Sequence, residues 1–368
     1  MGWGEAHETA EGYQSELSGR DTPRPSVDCG RQASGEPSGS RMQLNGGSSS
    51  GVTGTSTANF QMGNDATVQV TNNASGNQRF SAADFNVANA AVTTAKTLTF
   101  TGGGSGNLQT VAVDGVIRDN STNGIVNVSF AGNNDYVLNG ISTYTGTTAV
   151  TTAVLVNGTL ASPTVRVNST GYLGGSGQLS GSVTVLSGGT LSPGGTATGS
   201  TLTNTIATLT VGGLSLNSGG VTNLSVTGTT AGSLFDQVAF TGGSPSLTYG
   251  GLLNLTLSGS YADQTSFGLF SGFTSQTGSF SSIALSAVGT DFDGKTFAED
   301  GTSGDWYTGW TASNQQLKFS QSTGTLTVVP EPSTIVFAGI GIALVGWSTW
   351  TRRRAKARGQ AIDAALAS

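Results

Sequence analysis

Val165-Arg-Val-Asn-Ser-Thr-Gly-Tyr-Leu-Gly-Gly175 lines up with Val183-Thr-Val-Leu-Ser-Gly-Gly-Thr-Leu-Ser-Pro193. Leu214-Ser-Leu-Asn-Ser-Gly-Gly-Val-Thr222 aligns with both, and a shorter copy starts at Val154 with Val-Leu-Val-Asn-Gly-Thr-Leu. Each copy reads as a strand, a Gly turn and a second short strand. Alternation at a period of two puts one set of side chains on a buried face. A single such unit cannot bury that face by itself, whereas stacked units share a continuous core. The expected body is therefore a solenoid or parallel β-helix, with a β-sandwich built on similar turns as the alternative. The copies begin 11, 18 and 31 residues apart, so the period is loose.

Working outward, the composition supports an all-β chain. Of 368 residues, 57 are Gly and only 10% are charged, well below the quarter usual in globular domains. The 35% that are hydrophobic fall in short runs rich in Val, Leu and Thr, which favour strands punctuated by tight turns. Val126-Asn-Val-Ser-Phe130 and Leu253-Asn-Leu-Thr-Leu257 are further examples. The formal charge of −6 argues against a nucleic-acid partner, which needs a basic face. The one cysteine, Cys29, rules out an internal disulfide, and the one histidine, His7, rules out a His-based triad or metal cluster in the body.

The chain divides into segments. Residues 1–41 are rich in charge and proline with few large apolar residues, and are expected to stay disordered, outside the native fold. Neither they nor the stretch after Met42 holds the apolar core of a signal peptide. An exported protein carries one, so the expectation is that translation starts elsewhere or that the N-terminal coding region is incomplete. Residues 42–230 are the expected β-helix, clearest over 138–230, followed by a β-rich part at 231–329.

The tail is different again. Pro330-Glu331-Pro332 precedes an apolar stretch over 335–350, and then come Arg352, Arg353, Arg354, Lys356 and Arg358. The two prolines are expected to keep the motif extended and open, and Ser333 is a good helix N-cap. Sixteen helical residues rise roughly 24 Å, a little short of the usual bilayer core. Trp347 and Trp350 suit the interface, and the five cations act as a stop-transfer signal that extends the reach by snorkelling. A single transmembrane helix is expected, with 359–368 as a cytoplasmic tail.

Catalytic chemistry is sparse. A β-helix that cleaves polysaccharide needs paired carboxylates, or a base beside a cation or calcium. The body's acids mostly stand alone in turns, as in Asp114-Gly115. The densest group is Asp291, Asp293 and Asp300, a weak calcium candidate, because Lys295 and the spacing depart from the EF-hand pattern. Trp306, Tyr307 and Trp310 are candidates either to stack on sugar rings or to cap the end of the core. No catalytic residue and no cofactor is expected.

Two resemblances add to this reading. The tail resembles the PEP-CTERM sorting signal on Pro330-Glu331-Pro332, the apolar span and Arg352-Arg353-Arg354. The resemblance implies export, recognition by an exosortase-type membrane protease, cleavage near the motif, and an association with exopolysaccharide. The body resembles the autotransporter-associated β-strand repeat. That likeness rests on Leu138-Asn-Gly-Ile-Ser-Thr-Tyr-Thr-Gly-Thr-Thr148, Ser187-Gly-Gly-Thr-Leu-Ser-Pro-Gly194 and Phe235-Asp236-Gln237-Val238. It implies a right-handed parallel β-helix at the cell surface. The outer-membrane barrel that ends such chains is expected to be replaced here by the sorting tail. The expected function is a non-enzymatic structural or adhesive surface protein, with a β-helical polysaccharide lyase or hydrolase and a carbohydrate-binding module as alternatives.

Overall fold

The copies at Val165, Val183 and Leu214 stack on one another. In the computed structural model, Val165 pairs with Val183 and Val183 with Leu214 in parallel register. The copy at Val154 belongs elsewhere. It pairs with Tyr136 on one side and Leu173 on the other, in a second parallel sheet. Its likeness to Val165 reflects the same alternation across the core, and its 11-residue offset is about half a turn of the solenoid.

The structure describes residues 94–331 apart from 104–109, 120–123, 199–200, 204 and 302; before residue 94 it describes only the backbone of seven short strands. The side chains of 103, 196–198 and 201–202 are also outside the description. The described residues are strands and turns without a helix. They form a 15-stranded and a 10-stranded sheet whose neighbours pair almost wholly in parallel, as a β-helix or solenoid requires. Pairing reaches into the N-terminal segment expected to be irregular, because Ser26–Asp28 runs antiparallel to Ser40–Gly46.

The loose period has a simple geometry. Equivalent corner residues are 18 and 19 residues apart in the middle of the chain (Asn139, Asn157, Ser176), and paired strand residues are 31 apart later (Asn223, Asn254). Extra length leaves between strands as loops, while the strands keep register. The ladder also continues beyond the expected limit at residue 230: Leu253 pairs with Ile283 in the second sheet, and parallel pairing ends only at Ser286. A five-stranded antiparallel sheet then closes the end, in the order Ser266–Gly268, Thr325–Pro330, Gln315–Ser320, Asp305–Thr308, Phe297–Glu299.

Packing follows from alternation. Val165, Val167, Val183, Val185, Leu214 and Leu216 all point into the core and are buried. Each contributes roughly 1.5–3 kcal/mol relative to exposure. Larger rings gather in two groups. Phe100 and Phe130 stack at 5.2 Å, and Tyr249, Phe270, Phe280 and Phe319 form a cluster with centroids 5.0–6.2 Å apart.

One corner shows why its residues recur. Asp114-Gly115, Asn139-Gly140, Asn157-Gly158 and Ser176-Gly177 stack at successive turns. Asn157 Nδ2 donates to Asn139 Oδ1 (3.2 Å), and Asn139 Nδ2 to Asp114 Oδ1 (2.7 Å). The backbones approach so closely that a Cβ on Gly158 would lie 2.1 Å from the Gly140 carbonyl oxygen, and one on Gly177 would lie 2.1 Å from that of Gly158. Only glycine fits there.

Candidate functional site at the C-terminal strand

The strand Thr325–Pro330 is the last of the described fold, and it is held on both edges. It pairs antiparallel with Gln315–Ser320 on one side and Ser266–Gly268 on the other. Leu326 and Val328 alternate inward and are buried, which seats the strand on the core. The Val328 amide donates to the Thr265 carbonyl (2.9 Å), and its carbonyl accepts from the Gln264 amide (2.8 Å). Pro330 lies opposite Gln315 at the strand end, where the missing N–H costs no ladder bond. The Glu331 amide then donates to the Asn314 carbonyl (2.9 Å), while its side chain is exposed. The expected extended stretch therefore begins inside the fold: Pro330 ends the last strand and the exposed Glu331 is tied by one backbone bond, with no linker between fold and motif.

The neighbouring strand carries the aromatic candidates. Period-two alternation on Asp305–Thr308 sends Trp306 and Tyr307 to opposite faces. Trp306 is 6% exposed and belongs to the core, so it is not an exposed platform for stacking on sugars. Its Nε1 and the Tyr249 hydroxyl are buried without a hydrogen-bond partner among the described residues. Tyr307 lies under the Lys318 ammonium, 5.5 Å from the ring centroid. Lys318 pairs with Asp305 at 2.7 Å, and that contact raises the ammonium pKa above its ordinary value. Trp310 is exposed at 38%. Asp291 accepts from Ser313 Oγ (2.7 Å), and Asp300 accepts from the amide and hydroxyl of Ser303. The described residues hold no group of three or more His, Cys, Asp or Glu suited to a metal ion, so Asp291, Asp293 and Asp300 do not meet as a set.

The segment beyond the last strand decides how the chain is handled. Residues 328–354 match the PEP-CTERM protein-sorting motif. The match begins at the buried Val328, takes in Pro330-Glu331-Pro332 and the apolar stretch, and ends at Arg354. A sorting motif of this kind implies an exported protein that an exosortase-type system processes at the membrane. Pro332, the apolar stretch 335–350, and Arg352, Arg353, Arg354, Lys356 and Arg358 lie outside the described residues. Among the described residues no helix is long and apolar enough to cross a membrane. Comparisons with curated proteins and with solved structures give no match.

Upstream of the sorting motif, two acids that looked like ordinary turn residues are structural ties. Asp236 is wholly buried, with Oδ1 accepting from the Ala207 amide (2.9 Å) and Oδ2 from the Ser225 amide (2.8 Å). Burial pushes its carboxyl up to about 6, against the opposing pull of those backbone bonds. The signal in the sequence was an acid set inside the apolar run Leu234-Phe-Asp-Gln-Val238. Asp119 accepts from the amides of Val126 and Thr145 (2.8 Å each), joining neighbouring turns. Asp135, also buried, is likewise raised to about 6 by desolvation.

Proposed function

We propose that this chain is a non-enzymatic structural or adhesive protein of the cell surface, released from a membrane-anchored precursor by an exosortase-type protease and held in an exopolysaccharide matrix. The observation that carries the reading is the junction itself. A sorting motif abuts, without a linker, the last strand of a long parallel ladder. In this reading the apolar stretch 335–350 spans the inner membrane, and the basic cluster fixes its orientation. Pro330 and Pro332 keep the chain between fold and span out of a helix.

The resemblance of the body to passenger-type repeats and the dense backbone ladder support a stiff rod with a polar surface. The body's acids support a non-catalytic role, because most serve the fold. Asp114 bonds an asparagine ladder, Asp119 and Asp236 tie backbone amides, Asp263 accepts from Gln315, Glu299 accepts from Ser279, and Asp305 pairs with Lys318.

The test is to express the chain in a host with its exosortase. Deleting residues 332–368 sends the body unanchored to periplasm or medium, and Glu331→Ala leaves an uncleaved, membrane-bound precursor. A tail-deleted body that still reaches the surface contradicts the proposal. So does turnover of a uronic-acid or neutral polysaccharide that one body Asp→Asn change abolishes.

A further inference from the structure

One side of the solenoid presents mainly short polar side chains. Outward positions on each parallel strand alternate with the buried Val and Leu, so every turn adds one position to a straight row. In register, the central row runs Ser129, Ala149, Arg166, Thr184, Ser215 and Thr248. Successive positions are about 4.8 Å apart, the spacing of paired strands. The stacking reaches the side chains, since the Thr248 hydroxyl lies 3.2 Å from that of Thr277 on the next turn. Arg166 is exposed and the other five are half-buried. The second sheet differs: its outward Leu155 is only 1% exposed, because other parts of the chain close over it.

The charge on this side is one-signed. The chain holds 21 acids against 15 bases. Yet the eight strands that build the face, from Lys96–Gly103 to Ser275–Gly278, contain no Asp or Glu. Arg166 is the one charged member of the central row. A guanidinium with the Thr184 hydroxyl next to it in the row matches a carboxylate beside sugar hydroxyls, and its fork bonds both carboxylate oxygens at once. The six positions of the row carry no aromatic ring, so stacking on a sugar face is not the mode this row offers.

We propose that this row binds a linear, carboxylate-bearing polysaccharide laid along the solenoid axis. Arg166 pairs with a sugar carboxylate, and Ser129, Thr184, Ser215 and Thr248 exchange hydrogen bonds with sugar hydroxyls. The proposal rests on the surface-protein reading above and names the class of glycan and the face that takes it.

The experiment is affinity electrophoresis of the purified full chain in detergent, through gels containing polygalacturonate or, separately, neutral dextran. Polygalacturonate retards the chain and dextran does not. Arg166→Gln weakens the affinity about tenfold, as loss of a charge-assisted hydrogen bond requires. Arg166→Glu abolishes it, and Thr184→Val combined with Thr248→Val weakens it a few-fold. An unchanged urea midpoint shows that these outward variants are folded. No retardation by polygalacturonate, equal retardation by dextran, or retardation that survives Arg166→Glu overturns the proposal. So does sedimentation showing that the row instead joins two copies of the chain. Each of these leaves export and sorting standing, because those are read separately from cell fractions. Failed sorting with intact binding sinks the surface-protein reading alone.

Discussion

Between Leu138 and Pro193 each turn of chain nearly repeats the last, while the closing sheet between Phe297 and Glu331 repeats nothing. The middle turns pair in parallel, bury Val and Leu, and turn on stacked Asn-Gly corners. The closing sheet pairs antiparallel, buries Trp306, Leu317 and Phe319, and carries the Asp305–Lys318 ion pair. The difference is one of neighbours. A middle turn has a like turn on each side, so modest side chains in register complete its core. The last turn has none, and larger rings from a different sheet must cover its open side. A sorting motif attached to that closing strand is thus attached to the part of the body that seals the rest.

The largest expected effect falls on the cap. Phe319→Ala removes a fully buried ring from the four-ring cluster and costs about 3–5 kcal/mol in urea unfolding. If the cap seals the ladder, Val183→Ala in the middle costs less. Equal losses at the two sites break the comparison.

The second effect is on pH. Asp236 titrates near 6 when folded, against an ordinary value of 3.8. The folded state therefore holds a proton that the unfolded chain has already lost between those values. Stability is fully present below about pH 4 and declines as pH rises to about 6, by roughly 3 kcal/mol at most. Asp135 adds a slope of the same sign. Asp236→Asn starts lower, having lost one acceptor, and flattens the slope measured by thermal unfolding from pH 4 to 7. A slope unchanged by Asp236→Asn assigns it to other groups.

Smaller effects test the middle turns. Gly158→Ala pushes a methyl group against the Gly140 carbonyl and costs about 1–3 kcal/mol. Asn157→Ala removes one exposed rung of the amide ladder and costs about 0.5–1 kcal/mol. A Gly158→Ala variant as stable as its parent contradicts the close stacking of corners.

The sequence carried the middle turns openly, because alternation and Gly corners are local properties repeated in place. It showed the stacking of Val165 on Val183 and Leu214. It did not separate Val154 from them, since the two sheets of one turn share the same alternation. The ladder from 231 to 286 was hidden because each turn there spends about a dozen more residues on loops. Asp236 was misread for a related reason, whereas of the two roles read for Trp306 the buried one is found. The burial of Asp236 depends on Ala207 and Ser225, distant in the chain, and the apolar run around it was its one local sign. The sorting motif, by contrast, is contiguous and was readable whole, although its attachment to a doubly paired strand was not.

The central claim is that a sealed β-ladder body is cut from its tail where the last strand ends. Its most direct test is the mass of the C-terminal peptide of protein recovered from the surface of a host with the exosortase. The account predicts a body that retains Thr325–Pro330 and ends within a few residues of it, because Val328 is locked in the core. Surface protein still carrying residues 333–368 intact would contradict it and make the tail a permanent anchor.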